Sequence, residues 1–187
     1  ESNLDELKQR VSHIYLRRIK EDLPNIVNKT VHEIFHDLSL LEMMEYNKLW
    51  DEYEEAQLTA DPEKELNKEL IEGGIYRRYL SNKMVPHTIE LVEDLLESGR
   101  KVVIGTCYDE ELKLLQDHFG KKCVVYNGKM SAKQKDAAKD KFMEDPECRV
   151  FIGQLIAAGV GLTLTAANAL VFNNISFVPG DNQQFMD

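Results

Sequence analysis

Long hydrophobic runs are missing from this 187-residue sequence. No apolar stretch approaches the roughly 20 residues that a helix needs to cross a bilayer, so no membrane partner is expected. Cysteine is scarce. Cys107, Cys123 and Cys148 are odd in number, far apart and free of any C-x-x-C spacing. That excludes a disulfide framework and a zinc ribbon and points to an intracellular, reducing compartment: the cytoplasm, or the nucleoid if the source is bacterial or a phage. Positive charge is also short, with 23 Lys and Arg against 33 Asp and Glu and a net charge of −10. Proteins that coat nucleic acid through their overall field are basic, so any contact with DNA must come from a local patch. The polar opening "ESNLDELKQR" excludes a secretory signal. The glycine loops G-x-G-x-x-G and G-x-x-x-x-G-K-[ST] are absent as well.

What is present is enough apolar material for a real core, 43% of residues. "HEIFH", His32 to His36, matches the zinc-protease signature H-E-x-x-H, which works only on a helix, where residues four apart can share one metal. Its flanks argue against a helix. Thr30 and Val31 are β-branched, and Ser39 with Glu42 has the spacing of a capping box that starts a helix after the motif. A short strand is expected instead, with the two histidines about 13 Å apart on one face, too far to share a zinc. No zinc site is expected anywhere.

Two halves differ in composition. Residues 1–83 are charged and helix-rich. "YNKLWDEYEEAQLTADPEKELNKEL" reads as a helix, a turn at Asp61-Pro62 and a second helix, and the pair Gly73-Gly74 should interrupt the chain. From residue 84 the pattern alternates. "PHTIELVEDLLESG" reads as a helix with Pro86 near its start and Gly99 just past its end. "KVVIGTC", "KCVVYNG", "RVFIG" and "ALVFNN" read as buried strands. "DEELKLLQDHFG", capped by Asp109, and "SAKQKDAAKDKFMED", opened by Ser131 and Gln134, read as helices between them. The expected fold class is α/β: a mainly parallel sheet with helices on both faces, preceded by a helical connector. Ligands on such sheets bind at the C-terminal ends of the strands.

"AAGVGLTLTAAN", Ala157 to Asn168, follows the third strand. Gly159 and Gly161 remove side chains where the backbone must approach something closely, and Thr163 and Thr165 add hydroxyls. Exposed backbone N–H groups in such a turn can cradle a phosphate, and tight packing of strand against helix explains the glycines equally well.

Taken together, "GVGLTLTAANALVFNNISFVPGDNQQFMD" resembles the fifth motif and the beginning of the sixth of Swi/Snf-type superfamily-two ATPases. The family writes it A-G-G-x-G-L-N-L-T-A-A, an apolar strand, a W-x-P turn, then Q-A-x-D-R. Gly159, Gly161, Leu162, Leu164, Thr165, Ala166 and Ala167 match the first part, and Pro179, Gln184 and Asp187 the second. "KVVIGTCYDEELKLLQDHF" resembles the fourth motif. "YNGKMSAKQKDAAKDKF" resembles D-G-S-T-S-x-x-x-R, with Gly128 and Ser131 matching and Lys135 at the basic position. "YLRRIKEDLPNIVNKTVHEIFHDLSLLEMMEYNKLW" resembles the L-R-R-x-K-x-D linker with the strand and helix after it.

The resemblance implies a RecA-like second motor lobe, residues 84–187, with its connector, residues 1–83. Its partners would be duplex DNA and an N-terminal RecA-like lobe of the same polypeptide. It implies a DNA-dependent ATPase in which ATP and Mg are held mainly by that first lobe. Gly159, Gly161, Gln184 and Asp187 would face nucleotide. Thr106, Gly128, Lys129, Lys135, Thr163 and Thr165 would face DNA. No residue of this sequence is expected to be catalytic itself, because the family's arginines would follow Asp187. The sequence opens without Met, stops inside a helical pattern and has neither G-K-[ST] nor D-E-x-H. It is therefore expected to be a piece of a longer polypeptide and inactive alone. Gln154 stands where the family has Ser or Thr, Ile156 where it often has a base, Asn127 for Asp and Phe177 for Trp.

Other readings belong to other classes. A non-catalytic nucleic-acid-binding or regulatory module could keep this fold without the chemistry. A dinucleotide-binding enzyme would need a glycine-rich turn after its first strand, and "GTCYDEE" is none. Lys129, Lys133, Lys135, Lys139 and Lys141 could contact DNA phosphates or, being interleaved with Asp136 and Asp140, form a solvated helix face. Arg17, Arg18 and Lys20, like Arg77 and Arg78, could brace a junction, touch DNA or decorate a surface helix. Cys107 has no evident histidine partner and reads as a small buried hydrophobe.

Overall fold

The computed structural model describes residues 3–11, 13–14, 29–58, 65–159 and 162–187. Arg17, Arg18, Lys20, the Asp61-Pro62 turn and Gly161 lie outside the described residues. The chain forms two compact units, Glu1–His36 and Asp37–Asp187. The first contains helix α1 (Leu4–Val11). Residues 29–36 are exposed and form neither helix nor strand, which corrects the strand expected at "HEIFH". An extended segment becomes a strand only when a neighbour takes its backbone groups, so strand-like composition alone does not decide it.

The second unit opens with helix α2 (Leu40–Leu58). Its start has the reciprocal bonds of a capping box: Glu42 N–H donates to Ser39 Oγ, and Ser39 N–H to Glu42 Oε2. Helix α3 (Glu65–Glu97) follows and runs without interruption for 33 residues, about 50 Å at 1.5 Å per residue. It passes through Gly73 and Gly74 and through Pro86, so neither the break expected at the glycines nor the start expected near Pro86 occurs. The boundary in composition at residues 83 and 84 falls inside it. Two glycines and a proline together disfavour a helix by about 5 kcal/mol. Against that, α3 buries Tyr76, Val85, Val92 and Leu96, each worth about 1.5–3 kcal/mol. Packing wins over local propensity. The helix ends where Gly99 takes a φ of +84°, with Gly99 N–H on Leu96 O and Arg100 N–H on Leu95 O, a Schellman stop. Helix α2 rests on α3 through Tyr46 and Trp50 against Tyr76 and through Tyr76 Oη donating to Leu49 O.

From residue 84 on four strands were expected, and among the described residues four form: β1 (Val102–Thr106), β2 (Cys123–Tyr126), β3 (Val150–Gln154) and β4 (Ala169–Phe172). They lie in the order β2-β3-β1-β4, and every pairing is parallel. Helices α4 (Asp109–Phe119), α5 (Ala132–Glu144), α6 (Leu155–Ala158) and α7 (Pro179–Met186) connect or follow them. Alternation along β1 separates two cores. Val102 and Ile104 join Val85, Val92, Leu112, Leu115 and Phe119 on the side of α3 and α4. Val103 joins Val124, Ala138, Phe142, Phe151 and Ala158 on the side of α5 and α6. The α/β architecture with both faces covered is the one expected. Asp109 is the first residue of α4, and Tyr108 holds the cap position in extended conformation. Asp109's side chain is turned to other partners.

Candidate functional site

The C-terminal ends of β1, β2 and β3 meet in a ring of hydrogen bonds. Asp109, just past β1, accepts Gln154 Nε2–H on Oδ1 at 2.7 Å and Lys129 Nζ–H on Oδ2 at 2.5 Å. Gln154, ending β3, accepts Gly128 N–H on Oε1 at 3.3 Å. Lys129 N–H donates to Asn127 Oδ1 at 3.0 Å. Lys129, bonded to Asp109, holds its carboxyl below the usual range, and Asp109 in turn raises the lysine. Lys129 thus reaches Asp109 directly, and Gly128 reaches it through Gln154. Lys135 lies on α5, its ammonium 5.1 Å from the centre of the Tyr126 ring. Thr163 and Thr165 are exposed in the loop before β4. Thr106 differs from expectation: it is fully buried and its hydroxyl donates to Gly153 O at 3.3 Å. β1 ends with its side chain directed inward, so the structure gives Thr106 an internal hydrogen bond in place of an exposed hydroxyl.

A second polar network lies beneath. Glu111 is fully buried. Its Oε1 accepts the N–H groups of Cys107 and of Tyr108, the latter at 2.8 Å, and its Oε2 accepts Ser81 Oγ–H and Asn173 Nδ2–H. Asn173, just past β4, also donates to Ser81 O and accepts Thr88 Oγ1–H at 2.7 Å. One carboxylate therefore joins α3, the β1–α4 turn and the end of β4. Sequence reasoning missed it. The available signal was an acid in line with Leu115 and Phe119, spaced i, i+4, i+8 on the face of α4 that becomes core. Arg77 and Arg78 brace the same region. Arg77 donates to Asn174 Oδ1 and Ile175 O, and its guanidinium lies 3.7 Å above the Phe177 ring. Arg78 pairs with Glu110 at 3.7 Å.

Of the residues expected to face nucleotide, Gly159 donates its N–H to Leu155 O, and a Cβ there would lie 2.9 Å from that same oxygen. A side chain there would crowd the last turn of α6 itself, which is a different constraint from packing of strand against helix. The Gly159 N–H is not free to cradle phosphate. Gln184 is exposed on α7, and Asp187 accepts Gln183 Nε2–H at 3.1 Å. Helix α7 is mounted on the sheet by Phe185. Gly105 and Gly153 are partners in the β1–β3 register. A Cβ on either would come within 3.0–3.3 Å of the Phe185 ring, and one on Gly105 would come within 2.8 Å of Phe172. Ile156, where the resemblance has a base, is 81% exposed. Burial, with Glu111 adding to it, pushes the Cys107 thiol up to about 11, which favours the protonated thiol. Among the described residues, no three His, Cys, Asp or Glu side chains could hold a metal ion, and no helix is long and apolar enough to cross a membrane.

Comparison with known proteins gives a consistent result. Residues 87–187 match the helicase conserved C-terminal domain family. The human DNA annealing helicase and endonuclease ZRANB3 is 28% identical over 195 aligned residues, covering 100% of this chain and 18% of that protein. Among solved structures, the SWI2/SNF2 ATPase core domain of Sulfolobus solfataricus superposes with a TM-score of 0.72 at 18% identity over 98% of this chain and 42% of the other. The same core in complex with dsDNA superposes with a TM-score of 0.65 at 20% identity, over 90% and 40%.

Proposed function

The chain belongs to the helicase conserved C-terminal domain family, and from that premise we propose that it is the second motor lobe of a DNA-dependent ATPase of the Swi/Snf type. The carrying observation is the agreement in order of the family match over 87–187 with an all-parallel sheet whose strand-end turns hold the matching motifs. In this reading Gly128, Lys129, Lys135, Thr163 and Thr165 contact the phosphates of duplex DNA. A neighbour solved with dsDNA supports duplex DNA as the partner. Gln184 and Asp187 stand on one side of an ATP site shared with an N-terminal RecA-like lobe. That lobe supplies the phosphate loop and the acidic pair for Mg, neither of which this sequence contains. ATP therefore has no complete cradle in this chain, and no catalytic step is assigned to its residues. The protein works where DNA is, inside the cell.

ATP hydrolysis by this chain, and by the longer protein that includes it, each with and without duplex DNA, tests the reading. A silent chain beside a DNA-stimulated longer protein is expected. A second reading rests on Ile156, exposed where the resemblance has a base: a DNA-binding module without hydrolysis. A longer protein that binds duplex DNA yet hydrolyses no ATP in its presence would replace the motor with that module.

A further inference from the structure

Each of the three groups with which Gly128 and Lys129 would hold a phosphate, one ammonium and two backbone N–H groups, already has an oxygen of this chain upon it. Lys129 Nζ–H has Asp109 Oδ2, Lys129 N–H has Asn127 Oδ1, and Gly128 N–H has Gln154 Oε1. The acceptors are themselves joined, because Gln154 Nε2–H donates to Asp109 Oδ1. Three internal oxygens, one of them from a carboxylate, reproduce the pattern of an anion sitting on the turn. We propose that Asp109 and Gln154 are specificity-determining residues of this site: they act as tethered competitors that an incoming phosphate must displace.

The inference rests on the reading of Gly128 and Lys129 as DNA contacts and deepens it. A tethered acceptor competes at an effective concentration on the order of millimolar or above. An isolated phosphate must beat that with the few bonds of one turn. A nucleic-acid backbone reaches neighbouring contacts at the same time and can open the ring. The competitors thus select polyanions over single phosphates. The latch is weak by construction, since the Lys129 and Asp109 side chains are 78% and 52% exposed, and exposed pairs of this kind are worth little in water.

The experiment is fluorescence anisotropy of a labelled DNA duplex titrated with the 187-residue chain at several salt concentrations. Asp109→Asn should tighten binding about two- to fivefold and steepen the salt dependence by about 0.9, one phosphate's worth. Gln154→Ser, which frees Gly128 N–H and leaves the charges alone, should tighten binding with no change in slope. Lys129→Ala should weaken binding more in the Asp109→Asn background than in the wild type. Inorganic phosphate should displace the duplex from Asp109→Asn at lower concentration than from the wild type. Asp109→Asn leaving affinity unchanged or lowering it, or Lys129→Ala costing the same in both backgrounds, overturns the proposal. If Asp109→Asn and Gln154→Ser bind as the wild type does while Lys129→Ala weakens binding equally in both backgrounds, the competitors fall and the DNA reading stands. If none binds even at the lowest salt, both fall. Thermal melting of each variant confirms that it is folded.

Discussion

Asp109 and Glu111 stand two residues apart in the first turn of α4, and each gathers donors from other elements. Glu111 faces inward and is fully buried, with two backbone N–H groups, a hydroxyl and an amide upon it. Asp109 faces outward, where water can replace either of its partners. The hydrogen-bond patterns are similar and the energetics are opposite. In the interior, removing an acceptor strands its donors without water, while at the surface solvent fills the gap. The hub at Glu111 fixes the shape of the strand-end turn, and the ring at Asp109 remains exchangeable.

The largest effect should come from Glu111→Ala. It leaves Ser81, Asn173 and two backbone N–H groups without their acceptor, at about 1–3 kcal/mol for each group that water cannot reach. Urea denaturation should show a loss above roughly 3 kcal/mol, and a loss below 1 would erase the contrast with Asp109. Gly153→Ala provides an apolar reference at the same sheet edge. Its Cβ would meet Ala158 Cβ at 2.9 Å and the Phe185 ring at 3.3 Å, so overpacking of about 1–3 kcal/mol is expected in the same assay. Thr88→Val keeps the shape and removes one donor at the margin of the hub. Asn173 Oδ1 then loses the bond from Thr88, and about 1–2 kcal/mol should be lost. A loss equal to that of Glu111→Ala would show that Asn173, and not the carboxylate, organises the hub.

Asp109→Ala should change stability least, by about 0–1 kcal/mol. Its pH dependence gives the sign. The Asp109 carboxyl is held below its ordinary value of 3.8 by Lys129. Its contribution is therefore complete above that value and disappears as the pH falls through the lowered one. Lys129 is raised above 10.5, so its contribution is present below 10.5 and is lost as the pH rises through the raised value. The difference between wild type and Asp109→Ala should persist near neutrality and vanish in acid. A difference that did not shrink at all as the pH fell below 3.8 would come from something other than the ion pair.

Where the chain's behaviour is local, the sequence is readable. Each of the four strands is a short apolar run bounded by polar or turn residues, and both capping boxes formed where their spacing placed them. The order β2-β3-β1-β4 is a product of long-range pairing and left no mark in any one segment. Helix α3 was misread because Gly73, Gly74 and Pro86 are local breakers, overruled by residues that find their partners far along the chain. "HEIFH" shows the complementary limit: strand-like composition does not by itself make a strand. At the candidate site, Gly128 and Lys129 were legible as a strand-end turn. Asp109 was legible only as a cap, since nothing in the sequence brings it beside Lys129, and the burial of Thr106 and Glu111 follows from the sheet and not from their polarity.

The seat of Phe185 on Gly105 and Gly153 has a consequence for how this sequence can change over time. Two positions that carry no side chain face a third on another element. A side chain at 105 would press on Phe172 as well as on the Phe185 ring, and one at 153 on Ala158 as well. A smaller residue at 185 therefore does not by itself make room at either glycine. The constraint is one-sided: position 185 should be free to vary in size while 105 and 153 stay without side chains.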